Sequence, residues 1–269
     1  MLDNMRVLQK ASNWMPFVFL VVVGSSISNV NANECAPLQL PNKILTVSKI
    51  YDGDTLKLED GRKLRLIGVN TPERGRDGST DQPFYTEAKN HLQKILAAHQ
   101  YNIKIIIGQD SRDRYKRVLA HVFTTKGENL NASLVKNGMG FHITIPPNLQ
   151  FNKCYKEAEK YAQQQKLGLW SHKFSQAISA RTITDSNRGF QQVTGTVQRV
   201  GESHSSIWLN LEKQFALRVL KKDLVHFKNY TPQTLLNKRV TARGWVYKRK
   251  NQFRMALRHP DALKIHSTD

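Results

Sequence analysis

The sequence predicts a mainly β chain with packed helices, a small closed β-barrel followed by a second small β-barrel. Three observations lead there. Two Asp-Gly pairs, Asp52-Gly53 and Asp60-Gly61, each sit between β-rich runs, and Asp-Gly is a strong two-residue hairpin signal because Gly tolerates positive φ. Strand-like runs come first and helical runs follow, as in a barrel with helices packed around it. After an aperiodic stretch the chain returns to short β-rich runs.

Taken in order, the first hairpins give strands at about 44–51, 54–59 and 62–69. In the third, Leu64 and Leu66 face one way and Arg65, Ile67 and Val69 the other. A helix is expected from Pro83 to Ala98, then strands Ile103–Ile107 and Arg117–Thr124. Lys126-Gly127 turns the chain into a short helix, Asn129–Asn137, closed by Gly138. A longer helix runs from Leu149 to Lys166. Residues 173–190 read as a linker. Candidate strands 191–200, 206–211, 214–219, 238–247 and 252–257 follow, with a helix at 220–228. Five strands with a helix between the third and fourth fit an OB-fold, and other small barrels fit the same count.

Charge narrows the partners. Of 269 residues, 41 are Lys or Arg against 21 Asp or Glu, a formal +20 with pI near 10.1. Such a field attracts polyanions: nucleic acid first, an anionic membrane or polysaccharide otherwise. From residue 185 onward there are sixteen Lys and Arg against six Asp and Glu. No short-period repeat and no low-complexity tract is present, so solenoids and biased linkers are excluded.

Residues 1–32 read as an export signal. Arg6 and Lys10 precede the uncharged run Trp14–Val23, and Val30-Asn31-Ala32 offers a cleavage site. The run is shorter than the roughly 20 residues a spanning helix needs. The mature chain is expected to be secreted or periplasmic, without stable membrane association. Cys35 and Cys154 remain after cleavage. They allow one disulfide or two free thiols, and are too few for a structural zinc site.

Three segments carry candidate chemistry. Asp52-Gly53-Asp54-Thr55 starts the second strand. Arg65 to Glu73 presents a guanidinium, the Asn70 amide, the Thr71 hydroxyl and a carboxylate within nine residues, with Pro72 fixing the exit. Asp54 and Asn70 could meet across the hairpin, and a hard cation such as calcium takes oxygen ligands of this kind. Asp113 to Arg117 is basic, includes Tyr115, and leads into a strand.

In this order the segments resemble the staphylococcal nuclease family. Its pattern continues in Asn131-Ala132-Ser133-Leu134-Val135-Lys136-Asn137-Gly138 and ends in Leu167-Gly168-Leu169-Trp170. The resemblance covers about residues 43–172. It implies an OB-fold nuclease domain (33–172), a calcium cofactor, and DNA and/or RNA as substrate, cut to leave 3′-phosphates. It implies Arg65 and Arg117 as phosphate-clamping arginines and Glu73 as the residue that orients or deprotonates water. Asp54 is implied as a calcium ligand, and Thr71 as one through its carbonyl. Asn70 departs from the family, which commonly has Asp there; an amide oxygen still ligates calcium with one negative charge fewer. A scaffold of this type that binds nucleic acid without cutting it is the alternative.

The resemblance does not reach residues 191–269, expected as a basic, OB-like domain. There Trp245-Val246-Tyr247-Lys248-Arg249-Lys250 places two aromatics next to three cations. Alternation puts Trp245 and Tyr247 on one face, both in the core or both at the surface. With Tyr115, these six are the candidate substrate contacts.

Overall fold

The computed structural model describes residues 35–75, 78–212, 214–228 and 231–267. The expected export signal, 1–32, lies outside the described residues.

β1 (Leu45–Ile50), β2 (Thr55–Leu58) and β3 (Lys63–Leu66) form the expected antiparallel meander. After β4 (Val69–Asn70) come α1 (Tyr85–Ala98), β5 (Asn102–Arg112), β6 (Val118–Thr124), α2 (Leu130–Lys136), β7 (Phe141–His142) and α3 (Asn152–Gln164). β3 pairs with β6 in parallel, β6 with β5, and β5 returns to β1, closing a five-stranded barrel. Leu56, Leu58, Leu64, Leu66, Ala120 and Val122 fill it, all essentially inaccessible to solvent. Burying each of the leucines contributes roughly 1.5–3 kcal/mol. Strand β3 ends at Leu66, earlier than expected, because Gly68 turns the chain at φ 79. The Tyr155 ring occupies the space a Cβ at Gly68 would need. The turn delivers β4, which pairs with β7 and places Asn70 opposite Phe141.

α2 starts where Asn129 Oδ1 accepts the Ala132 N–H at 3.0 Å. Asn131 ties the helix to the barrel: its Nδ2 donates to the Ile67 carbonyl at 2.7 Å and its Oδ1 accepts the Val122 N–H at 2.9 Å. Cys35 and Cys154 are joined by a disulfide, with Cα atoms 5.6 Å apart. The bridge fastens the entering chain to α3.

His121 sits at the same junction, 1% exposed, with Nδ1 2.7 Å from Tyr155 Oη and its ring edge-on to Phe151. Burial pushes its pKa down to about 4. The unfolded chain titrates near 6.5, so between these values it binds the proton that the folded chain refuses. The stability contributed by neutral His121 is therefore complete above about pH 6.5 and is lost as pH falls toward 4, by about 3 kcal/mol. His142, also depressed by burial, acts with the same sign. Urea unfolding at pH 7 and pH 4.5 should show His121→Gln losing less stability on acidification than the wild type. Equal losses would remove His121 from the acid response.

The region expected as linker instead belongs to a second body. Short 3-10 turns flank β8 (Ile178–Ser179), which pairs in parallel with β9 (Gly189–Thr196). Ala180 and Ile183 enter the second core. So few apolar residues give no period to read in sequence. β10 (Arg199–Glu202), β11 (Ser206–Asn210), β12 (Phe215–Leu220), β13 (Arg239–Arg249), β14 (Gln252–Leu257) and β15 (Leu263–Ile265) complete it. The expected helix at 220–228 is a 3-10 segment, Lys221–His226.

The sheet order is β10-β11-β12-β14-β13-β9-β8, with β15 on β13. β9 and β10 are two halves of one strand, interrupted only at Val197 and Gln198. The Val197 N–H donates to the Lys238 carbonyl and the Gln198 N–H to the Asn210 carbonyl, at 3.0 and 2.9 Å. The first half pairs with β13 and the second with β11. The path thus returns to the strand it started from, and β12 runs parallel to β14 as β3 does to β6. This is the strand order of the first barrel, the OB arrangement expected for the segment.

The two bodies are fastened by charge and by rings. Arg243 on β13 forms two hydrogen bonds with Glu159 on α3, at 2.7 and 2.8 Å. Asp261 accepts from Lys156 Nζ at 2.6 Å and from Asn152 Nδ2 at 2.8 Å. Phe141 of the first body stacks near Phe190 of the second, centroids 5.3 Å apart.

Candidate active site

Asp54 lies at the start of β2, buried to 3% exposure. Gly53 beside it admits no side chain: a Cβ would stand 2.8 Å from Thr71 Cγ2 and 2.9 Å from Ala88 Cβ. That close approach seats the turn against the β4 exit. Asp54 Oδ2 accepts the Thr71 N–H at 2.8 Å and its hydroxyl at 3.1 Å. Asp52 caps the turn by accepting the Asp54 N–H at 2.9 Å. Burial, with Asp54 and Glu73 nearby, pushes the Asp52 carboxyl up to about 7.

Arg65 points from the outer face of β3 into this group. Its Nη1 donates to the carbonyls of Leu66 and Val69 at 2.6 and 2.7 Å. Its Nη2 lies 3.2 Å from Asn70 Oδ1 and 3.2 Å from Asp54 Oδ2. One guanidinium nitrogen thus touches both side chains that sequence reading paired.

Arg117 approaches from the start of β6. Asp113 holds it twice, accepting Nε at 2.7 Å and the backbone N–H at 3.0 Å, and Nη1 reaches Thr55 Oγ1 at 3.3 Å. Tyr115 is 63% exposed, with the Arg114 and Arg117 guanidinium carbons 4.8 and 5.5 Å from its ring centre. Glu73 follows Pro72, and its backbone is clamped to Gln82: N–H to Oε1 at 2.8 Å, and carbonyl from the Gln82 N–H at 3.0 Å. Its side chain is exposed.

Asp52, Thr55, Arg65, Asn70, Glu73, Asp113, Arg114, Tyr115 and Arg117 line one cleft of about 1020 Å³, while the buried Asp54 and Thr71 are not part of its lining. The far wall comes from the second barrel, through Phe190, Arg243, Trp245, Tyr247 and Arg258. Trp245 and Tyr247 share the outward face, as alternation required, with Trp245 43% exposed and edge-on to Phe190 at 5.0 Å. Lys248, Arg249 and Lys250 are not part of the lining. Lys248 is on the opposite face, 2.7 Å from Asp185 and above the Phe253 ring, because alternation turns it away from Tyr247. Sequence reading missed Asp52, Asp113, Arg243 and Arg258. The Asp113-x-x-x-Arg117 spacing was the available signal for Asp113; the other contacts depend on pairing distant in sequence.

The donor set suits a hard cation. Asp52 and Asp54 carboxylates, the Asn70 amide and the Thr71 carbonyl are oxygens of the kind such a cation takes. Among the described residues, no three His, Cys, Asp or Glu side chains form a metal-holding group. Amide, carbonyl, water and phosphate oxygens would therefore complete the shell.

The family pattern described as "Staphylococcal nuclease homologue" matches residues 63–172. The chain is 32% identical over 127 residues to the thermonuclease of Staphylococcus intermedius, covering 46% of this chain and 74% of the relative. It is 33% identical over 129 residues to the thermonuclease of Staphylococcus hyicus, covering 47% and 75%. Endonuclease YncB of Bacillus subtilis (strain 168) is 29% identical over 131 residues, covering 47% and 61%. With the motif residues gathered on a closed five-stranded barrel and relatives of this identity and coverage, the chain belongs to the staphylococcal nuclease family.

Proposed function

We propose that this protein is an exported, calcium-dependent nuclease that hydrolyses phosphodiesters in DNA and/or RNA and leaves 3′-phosphates. The observation that carries the reading is the convergence of Arg65, Glu73 and Arg117 on one cleft beside Asp54 and Asn70. The names of the relatives, thermonuclease and endonuclease, support it. Export is supported by the disulfide, which oxidising compartments favour. No helix among the described residues is long and apolar enough to cross a membrane.

A bound calcium ion, held by Asp54, Asn70 Oδ1 and the Thr71 carbonyl, would polarise a phosphate oxygen and lower the pKa of water. The protein's own groups do the rest. Arg65 and Arg117, permanently charged and planar, match the equatorial oxygens on which negative charge gathers. Asp113 holds Arg117 in place for this task. Glu73 accepts the proton of water as its oxygen bonds to phosphorus; the P–O5′ bond breaks and the departing oxygen takes up a proton. Tyr115, Trp245 and Tyr247 offer faces to the nucleotides flanking the scissile phosphate.

A plasmid-nicking assay with calcium and with chelator tests the reading directly. Cleavage that needs calcium supports it. Tight plasmid binding without cleavage in either condition would favour the non-catalytic alternative, and cleavage undiminished by exhaustive chelation would remove the metal. Asn70→Asp should tighten calcium binding by about tenfold, since site affinity rises with ligand charge. Calorimetric titration checks this, and unchanged affinity would strike Asn70 from the ligand set.

A further inference from the structure

We propose that the outward face of the second barrel is a binding track for single-stranded nucleic acid that leads into the catalytic cleft. The proposal rests on reading that cleft as a phosphodiesterase site. It begins from β-register. Trp208 pairs with Arg218 across β11 and β12, Arg218 with Ala256 across β12 and β14, and Arg254 with Tyr247 across β14 and β13. Residues paired across strands share a face. One surface therefore runs from Trp208, through Arg218 and Arg254, to Tyr247 and Trp245 in the cleft wall. Three strand spacings make this about 14 Å.

The other face of these strands is the apolar core, with Ile207, Leu209, Leu217, Met255 and Val246 all buried. Trp208 therefore adds nothing to the core. It instead carries two guanidinium groups, with Arg254 Cζ 4.8 Å and Arg218 Cζ 5.5 Å from its ring centre. Each is pinned through Nε, Arg218 to Ser206 Oγ at 2.8 Å and Arg254 to Gln252 Oε1 at 2.9 Å. Neither has a carboxylate partner among the described residues, whereas Arg243 and Arg258 are paired with Glu159 and Asp223. A guanidinium pinned through Nε and without a carboxylate partner is pre-organised for phosphate.

The face also selects the form of the polymer. Two arginines lie between the half-buried Trp208 at one end and Tyr247 and the exposed Trp245 at the other, and a basic face with aromatic rings is the combination that holds a single strand by its backbone while bases stack. Bases stacked inside a duplex have no free face to lay on Trp245 or Tyr247. The outer face of an OB barrel's second and third strands is a common oligonucleotide site, and β11 and β12 hold those positions here.

The test uses the full chain carrying Glu73→Gln, in chelator, so that binding is read without cleavage. Anisotropy titrations with labelled (dT)20, (dT)4 and a 20-base-pair duplex are run at several salt concentrations. Adding Arg218→Gln and Arg254→Gln should raise the (dT)20 dissociation constant about tenfold and lower the salt slope by about 1.4, at about 0.7 per phosphate contact. Arg218→Lys with Arg254→Lys should keep the slope, because the charges remain. Circular dichroism monitors folding; if the Gln pair unfolds, Arg199→Gln with Arg249→Gln, on the same face, takes its place and should lower the slope likewise. Unchanged (dT)20 affinity and slope in the folded variants would overturn the track. Duplex affinity equal to that of (dT)20 and equally weakened would overturn its single-strand character. Wild-type protein that binds (dT)20 on this face but never cuts it with calcium would overturn the nuclease reading and leave the track standing.

Discussion

Glu73→Gln is expected to lower turnover by roughly 10²–10⁴-fold, the range for loss of a positioned general base. The substitution keeps the size of the side chain and removes its ability to take a proton. Glu73 is exposed, and its backbone is held by hydrogen bonds to Gln82. Stability should therefore stay within about 0.5 kcal/mol of wild type. Binding of an oligonucleotide in chelator should be retained, because Arg65, Arg117 and the far wall are intact. The measurements are steady-state cleavage of a defined oligonucleotide, urea unfolding and anisotropy. Cleavage within a few-fold of wild type would mean that another group accepts the proton.

What was legible in sequence has a common physical basis. Asp54, Arg65, Asn70, Thr71 and Glu73 sit within two turns and a hairpin, where spacing nearly fixes geometry. The Asp-Gly pairs dictated the meander, and the meander dictated that Asp54 and Arg65 would be neighbours. Period-two alternation likewise put Trp245 and Tyr247 on one face; Lys248, grouped with them as a candidate contact, lies on the other. What was not legible depends on closure. Nothing local in Arg243 says that it will meet Glu159, because the contact exists only once two barrels have formed and docked. The pairing of β9 and β10 with opposite ends of one sheet is equally non-local. Their break at Val197–Gln198 reads in sequence as a single strand, as indeed it functions. Residues 173–190 failed for a third reason: the two-residue strand β8 and the apolar side chains of Ile178, Ala180 and Ile183 are enough to join a core but too few to show a period.

The same docking makes a second large effect predictable. Glu159 is 7% exposed, and its carboxylate receives both Arg243 Nη atoms and, on Oε1, the His142 N–H at 2.8 Å. Arg243→Ala removes the compensating charge and leaves the carboxylate in a desolvated interface with one donor. Breaking a buried pair from one side costs about 3–5 kcal/mol, far more than the pair contributes over an apolar replacement. The Arg243 guanidinium also lies over Phe141, 5.7 Å from its ring centre, so the ring junction to Phe190 loosens with it. Because β13 continues from Arg243 to Trp245 and Tyr247, slackening here displaces the far wall of the cleft. Arg243→Ala should therefore lower stability by about 3–5 kcal/mol and raise KM for an oligonucleotide more than it lowers kcat. The groups proposed to be catalytic stand on the other barrel and keep their own hydrogen bonds. Arg243→Met combined with Glu159→Gln removes both charges and should recover most of the stability, giving a coupling energy readable in a double-mutant cycle. If Arg243→Ala costs less than about 1 kcal/mol and leaves KM unchanged, the pair does not fasten the wall, and Phe141, Phe190 and the Asp261 contacts hold the two barrels without it.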